Sequence, residues 1–164
     1  YGLLPFEREL ARVEPQDPWY AEAALLRASW RIHIDSPDYR RAMLKEAIRI
    51  IDRALSSYYS GRLYLTRARA AYLLGQSEAV METASIAAGK YEHLPVTTPR
   101  GQEPRLLHRL LTARSEAADM FAIVTQAAKI PATGPQAKRV HNRYTMLLDR
   151  LDAAITRLRQ TSTE

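Results

Sequence analysis

Histidine is the side chain that most often binds a metal ion through nitrogen. This 164-residue sequence has four histidines and no cysteine. They are His33, His93, His108 and His141. None lies three or four residues from another, the spacing that places two imidazoles on one helix face. The sequence therefore predicts neither a metal site nor a cofactor. Without cysteine, a thiolate metal site, a disulfide framework and a cysteine nucleophile are excluded.

Motifs of the common catalytic sites do not occur in the sequence. There is no glycine-rich phosphate loop, no serine elbow and no paired-carboxylate motif. The six glycines fall mostly where turns are expected, which leaves little material for a nucleotide cradle. We predict that these residues do not form an enzyme active site.

Arginine dominates the charged residues that could recognise another molecule. The net charge is +6, and all but four of the 24 cationic side chains are arginine. Arginine suits planar recognition of carboxylate or phosphate, although its excess over lysine can also reflect genomic base composition. Residues 1–60 are electrically neutral, so residues 61–164 carry the whole excess.

A cation-rich segment near the C-terminal end allows two interpretations. Its basic residues are Lys129, Lys138, Arg139, Arg143, Arg150, Arg157 and Arg159, opposed only by Asp149 and Asp152. Such a segment could contact nucleic-acid phosphates. Alternatively, the seven-residue spacing of Arg143, Arg150 and Arg157 is typical of the solvated flank of a helical seam.

The elements that position these side chains are predicted to be helices throughout, with no strand signal. Asp17-Pro18 and Ser36-Pro37 combine a capping side chain with a proline, so helices should start near Trp19 and Pro37. Loops are expected at 94–102 and 131–135, where proline and glycine cluster. The predicted helices cover residues 4–13, 18–35, 37–58, 61–74, 76–91, 103–130 and 135–160.

Apolar spacing predicts how several helices pack. The third helix has apolar residues on two sides, which requires neighbours on two sides. The fourth has three alanines, Ala68, Ala70 and Ala71, which permit a close helix contact. The last two helices have seams that step by three and four residues, so we predict a long antiparallel hairpin over 103–160. The seam positions are Leu110, Ala113, Ala117, Met120, Val124 and Ala127 on one helix, and Val140, Tyr144, Leu147, Leu151, Ala154 and Leu158 on the other.

Residues 18–91 resemble a pair of tetratricopeptide repeats. The run from Ser36 to Ala42 is similar to the second helix of a repeat, in which a turn is followed by an aromatic residue and then by an alanine packed on the first helix. Leu73-Leu74-Gly75, with Ala68 before it and Ala87 after it, resembles the same motif. The pattern is degenerate: Arg67, Ala71 and Val80 stand where the family prefers leucine, tyrosine and alanine, and no proline closes either repeat at the usual spacing.

The resemblance implies that the first helix of each pair lines a groove that binds a protein segment. In the first pair the groove positions would be Tyr20, Ala23, Arg27 and Trp30, and in the second Arg62, Leu65, Arg69 and Tyr72. Each set combines arginine with an aromatic residue, which could bind a carboxylate beside an apolar side chain. Alternatively, the aromatic residues belong to the core and the arginines are solvated.

The sequence thus favours one helical domain over residues 1–164, a non-catalytic scaffold that binds a protein segment, for example an acidic one, or another copy of itself. The alternatives are a nucleic-acid-binding module that uses the C-terminal hairpin and an accessory domain fused to an enzyme. Because the sequence begins at Tyr1 rather than Met, we expect a fragment of a longer protein. No apolar run reaches the length of a membrane span, so we expect a soluble fragment, with a cytoplasmic location favoured over attachment to a membrane-anchored protein.

Overall fold

The computed structural model describes residues 4–130 and 134–161. Within these ranges the chain forms seven α-helices and no strand, which confirms the predicted all-α fold. The helices are α1 (Leu4–Ala11), α2 (Tyr20–His33), α3 (Arg40–Leu55), α4 (Gly61–Leu73), α5 (Ser77–Glu92), α6 (Glu103–Ala127) and α7 (Gly134–Thr161). Residues 131–133 of the predicted second loop lie outside the described residues.

The chain divides into two compact units, residues 1–79 and 80–164, and the boundary falls within α5. The helices α4 and α5, which the resemblance would pair as one repeat, therefore lie largely in different units. The grouping of residues 18–91 into repeats and the single domain over residues 1–164 stay predictions.

Pro18 and Pro37 lie in turns that precede α2 and α3, and neither proline belongs to a helix. The amide of Trp19 donates to Asp17 Oδ1 at 2.9 Å, and the amide of Tyr20 donates to the Asp17 carbonyl at 3.0 Å. A similar turn precedes α3, where the amide of Tyr39 donates a hydrogen bond to the Ser36 carbonyl at 3.2 Å. The prediction that α3 starts near Pro37 is wrong, because this turn satisfies the local backbone groups and delays the helix to Arg40.

The core of the first unit lies among α2, α3 and α4. It contains Ala28 and Ile32 of α2 and Ala70 of α4. Between them lie the buried residues of α3, namely Leu44, Ala47, Ile50, Ile51 and Ala54. The predicted neighbours on two sides of α3 are confirmed, since α3 packs against both α2 and α4.

Ala42 does not occupy the buried position that the resemblance implies. It is exposed, and Tyr39 is 64% exposed. The expectation that Ala42 packs on the preceding helix is wrong. Because α3 starts only at Arg40, Ala42 lies in its first turn. The buried residues of this helix begin at Leu44 and continue with Ala47.

More than half of the α4 residues are buried, among them the three alanines that predict a close helix contact. Ala68, Ala70 and Ala71 have no exposed surface, which allows close approach of neighbouring helices. The helix begins with the Ser60 hydroxyl accepting the Leu63 amide at 3.4 Å. It ends at Leu73, and Gly75 follows two residues later with a φ of +74°, in the left-handed region that favours glycine.

The second unit contains the predicted antiparallel hairpin of α6 and α7. All twelve seam positions are buried. Arg114 pairs with Asp152 at 2.9 Å, and the Phe121 and His141 rings lie 4.8 Å apart. Because later residues of α6 contact earlier residues of α7, the two helices run antiparallel, which confirms the prediction.

Candidate functional site

The C-terminal ends of α2 and α4 lie side by side in the first unit. Ile32 and His33 at the end of α2 line one open cavity with Tyr72 and Leu73 at the end of α4. The ends of the two helices therefore contribute to one surface of the first unit.

This space, the α2–α4 cavity, has a volume of about 380 Å³. It is lined by Ile32, His33, Asp35, Arg40, Arg69, Tyr72 and Leu73. Leu73 is 42% exposed and Tyr72 is half-buried, so both present apolar surface. Neither Arg40 nor Arg69 forms an ion pair with any residue that the structure describes. The cavity thus joins apolar surface to two available guanidinium groups.

Arg62 lies on the same side of α4 as Arg69, seven residues earlier. Both are exposed on a helix whose other residues are mostly buried. Seven residues correspond to about two turns, or roughly 10 Å along the axis, so Arg62 extends the cationic surface beyond the cavity, which it does not line.

A second group, the Glu7 clamp, consists of Glu7, Arg27, Trp30 and Arg31. One oxygen of the Glu7 carboxylate accepts from Arg27 Nε at 2.9 Å and from Arg31 Nη2 at 2.7 Å. The other oxygen accepts from Trp30 Nε1 at 3.0 Å. The glutamate of α1 is therefore bound by two arginines and by the indole N–H of Trp30, whereas the sequence assigns the aromatic residue to an apolar side chain.

The clamp strongly favours the charged form of Glu7. Burial alone raises the pKa of this carboxyl, but the hydrogen bonds donated by Arg31, Trp30 and Arg27 outweigh burial and lower the pKa from an ordinary 4.5 to about 2. The side chain of Glu7 is only 13% exposed and that of Arg31 only 11%. Weak screening by solvent at this depth strengthens each charge-assisted hydrogen bond.

Tyr20 lies against the core of the first unit. Its ring centroid is 6.0 Å from that of Tyr58, and the residue packs partly buried against the α2–α3 core. It also lines a cavity of about 250 Å³, the α1 cavity, together with Leu10, Val13, Arg27 and Arg53. Tyr20 therefore contacts the core and also lines this cavity.

The six predicted partner-binding residues fall into separate groups. Arg27 and Trp30 meet in the Glu7 clamp, and Tyr20 shares the α1 cavity with Arg27. Arg69 and Tyr72 meet in the α2–α4 cavity, whereas Arg62 stands apart on α4. The structure places the two predicted sets on neighbouring helices.

Sequence reasoning missed Glu7 and Arg31 in the clamp. One signal was present: Glu7 precedes the apolar Leu10 by three residues, which places both on one face of a helix. Arg31 follows Arg27 by four residues, which places both on one face. Arg40 was also missed, and no sequence signal indicates that it would meet Arg69.

Several cations of the basic C-terminal segment bind backbone or carboxylate groups within the second unit. Arg143 binds Glu92 through Nε at 2.9 Å and Nη2 at 2.5 Å, and it reaches the Ser85 carbonyl at 3.2 Å. Arg150 donates to the Glu92 carbonyl. These contacts lower the pKa of Glu92, chiefly through the hydrogen bonds from Arg143. Two of the three arginines in the seven-residue stripe thus have structural partners.

The remaining cations of that segment give a smaller surface for phosphate than the sequence suggests. Lys138, Arg139 and Arg157 are exposed and form no ion pair with the described residues. The nucleic-acid alternative therefore depends on fewer charges than the seven counted from the sequence.

The histidines lie in unrelated surroundings. His33 lines the α2–α4 cavity, His93 Nδ1 lies 2.6 Å from the Gly89 carbonyl, and His141 contacts Phe121. Across residues 4–130 and 134–161, no three histidine, aspartate or glutamate side chains are grouped as metal ligands would be.

None of the described helices combines the length and apolar character needed to cross a membrane. The sequence matches no protein-family model, no curated protein and no solved structure. The likeness to tetratricopeptide repeats accordingly stays a prediction.

Proposed function

We propose that the first unit is a non-catalytic protein-interaction module that binds an acidic peptide segment at the α2–α4 cavity. The observation that carries this proposal is the pairing of Arg40 and Arg69 with the apolar surface of Tyr72 and Leu73 in one open cavity. The two guanidinium groups have no ion-pair partner among the described residues.

The chemistry of the cavity suits a carboxylate next to an apolar side chain. A guanidinium group can donate two parallel hydrogen bonds to one carboxylate, which adds both geometric specificity and affinity. Tyr72 and Leu73 offer surface for an adjacent apolar group, and tyrosine with arginine is a frequent combination at interface hot spots. Asp35, also at the cavity, would repel a second carboxylate placed beside it and so restricts where the acidic residue binds.

A binding role fits the exposure of the titratable groups here better than catalysis does. His33 and Asp35 are both exposed, whereas acid–base chemistry gains most from groups in a site that excludes water. The cavity is open, and its cations are positioned to hold an anion at the surface.

Charge reversal at Arg69 tests the proposal. We expect Arg69→Glu to weaken binding of fluorescent peptides carrying two glutamates beside a leucine by about 10- to 100-fold, because a charged hydrogen-bonded contact contributes about 1.5–3 kcal/mol. Fluorescence anisotropy at low and moderate salt measures the change.

Arg41→Glu is the matched control. Arg41 is exposed on α3 and does not line the cavity. Its substitution changes the net charge by the same amount, so we expect the peptide affinity to fall less than threefold. Equal losses of affinity in the two variants would mean that net charge alone, rather than the cavity, determines peptide binding. Unchanged affinity in Arg69→Glu, with circular dichroism unaltered, would contradict the assignment of the cavity.

A further inference from the structure

The surface of α2 beneath α1 already holds a carboxylate from this chain. Its three donors, Arg27, Trp30 and Arg31, belong to a single helix at spacings of three and four residues, so they share one face. Arg31 is fixed by its own helix, because its Nη1 donates to the Arg27 carbonyl at 2.9 Å and its guanidinium carbon lies 4.8 Å from the centre of the Trp30 ring. The site is thus organised largely by α2, and α1 supplies the occupant.

The occupant presents two side chains three residues apart. Glu7 enters the clamp and Leu10 lines the α1 cavity beside it. On a helix, residues at this spacing lie on the same face. The recognised pattern is therefore a helical glutamate followed three residues later by a large apolar side chain.

We propose that this face of α2 is a binding site for a helical segment of another protein with that glutamate and apolar residue, and that α1 occupies the site until such a segment displaces it. The proposal rests on the proposed function of the first unit as a peptide-binding module, but it concerns different residues. It assigns to α1 the role of a built-in competitor.

Three features make α1 a replaceable occupant. The helix has only eight residues, and short helices depend on tertiary contacts for their stability. Its Phe6 remains 54% exposed, and a cavity of about 250 Å³ is left beside Leu10. Arg31 Nε is buried and has no hydrogen-bond partner among the described residues, so Glu7 leaves one donor of the clamp unused.

Binding of the α1 sequence in trans tests the proposal. The probe is a fluorescent, acetylated and amidated peptide with the sequence of residues 3–12, and its control carries glutamine at the position of Glu7 and keeps the second glutamate. The proteins are the full chain, its Glu7→Gln variant and Glu9→Gln as the matched control, since Glu9 forms only a surface pair with Arg12. We expect Glu7→Gln to bind the peptide at least tenfold more tightly than the wild type, because the intramolecular competitor is weakened.

The control peptide should bind at least tenfold more weakly than the probe, and Glu9→Gln should match the wild type. Adding Arg27→Met to Glu7→Gln should remove the gain. Equal binding to wild type and Glu7→Gln, or equal binding of the two peptides, would overturn the proposal. If circular dichroism shows that Glu7→Gln is unfolded, Glu7→Asp replaces it, because it keeps the charge but withdraws the carboxylate by one methylene.

Two further outcomes separate this site from the others. Arg69→Glu added to Glu7→Gln should leave the affinity for the probe within twofold; a larger loss would assign the peptide to the α2–α4 cavity and overturn the proposal. If acidic peptides do not bind at the α2–α4 cavity but the probe still binds to the face of α2, only the proposed function of that cavity is refuted. Sedimentation of the wild-type chain tests a further outcome. If the chain forms a dimer and Arg27→Met abolishes it, the occupant of the site is α1 of a second copy rather than a segment of another protein, and the proposal is overturned.

Discussion

Replacing Glu7 with alanine should release α1 from the first unit. A pKa of about 2 against an ordinary 4.5 corresponds to about 3 kcal/mol in favour of the charged, clamped carboxylate. Losing it also leaves the cations of Arg27 and Arg31 without their shared anion. We expect the backbone amides of α1 to exchange hydrogen about 100-fold faster, since each 1.4 kcal/mol is a factor of ten. Hydrogen exchange measured by NMR checks this.

Glu9→Ala provides the comparison on the same helix. Glu9 is 70% exposed and pairs with Arg12, which is 75% exposed, and such surface pairs contribute little. We expect its effect on α1 exchange to be less than threefold. Equal acceleration in the two variants would mean that loss of helix charge, rather than the clamp, controls α1.

Acid should reproduce the effect of the substitution in the wild-type chain. Because the folded pKa of Glu7 is depressed, its contribution is fully present above pH 4.5 and is lost as the pH falls through about 2. The indole of Trp30 reports the contact, and Trp19→Phe removes the signal of the other tryptophan, which is 70% exposed. In Glu7→Gln, the step in Trp30 fluorescence between pH 4.5 and 2 should be absent.

Tyr144→Ala should destabilise the second unit by about 3–5 kcal/mol, the range for truncating a large aromatic side chain in a core. Tyr144 has no exposed surface, and its hydroxyl donates to the Ala84 carbonyl at 2.6 Å. The substitution would leave a cavity in the α6–α7 seam and remove a link from α7 to the part of α5 in this unit. Urea unfolding followed by circular dichroism measures the loss as a lower transition midpoint.

Two variants of α7 divide this effect into its parts. Tyr144→Phe keeps the ring and removes the hydroxyl, so we expect a loss of about 1 kcal/mol. Met146→Ala changes a side chain that is 73% exposed, and surface changes of this kind usually stay within about 0.5 kcal/mol. A Tyr144→Ala loss no greater than that of Met146→Ala would contradict the packing described for the seam.

The two proposed recognition sites give α2 a central place in the first unit. Its middle holds the Glu7 clamp, and its C-terminal end borders the α2–α4 cavity through Ile32 and His33. Both sites use arginine next to an aromatic residue, but only the clamp has an occupant from this chain. Variants at Arg69 and Glu7 therefore test the two sites independently.

Local sequence patterns were sufficient to predict the helices and the buried seams. The positions from Leu110 to Ala127 and from Val140 to Leu158 step by three and four residues, and this periodicity is local, so it predicts burial without knowledge of the fold. The same holds for the ends marked by Gly61 and Gly75. The start of α3 was less predictable, because a turn at Ser36 competes locally with a helix starting at Pro37.

Which charged side chains meet depends on how the helices pack together. Glu7 and Arg27 are 20 residues apart, and Glu92 and Arg143 are 51 apart. Such contacts depend on the path of the intervening loops and on how the helices pack, neither of which local periodicity specifies. For the same reason the resemblance to tetratricopeptide repeats implied equivalent positions for Arg27 and Arg69, whereas Arg27 binds an internal carboxylate and Arg69 lies beside an open cavity.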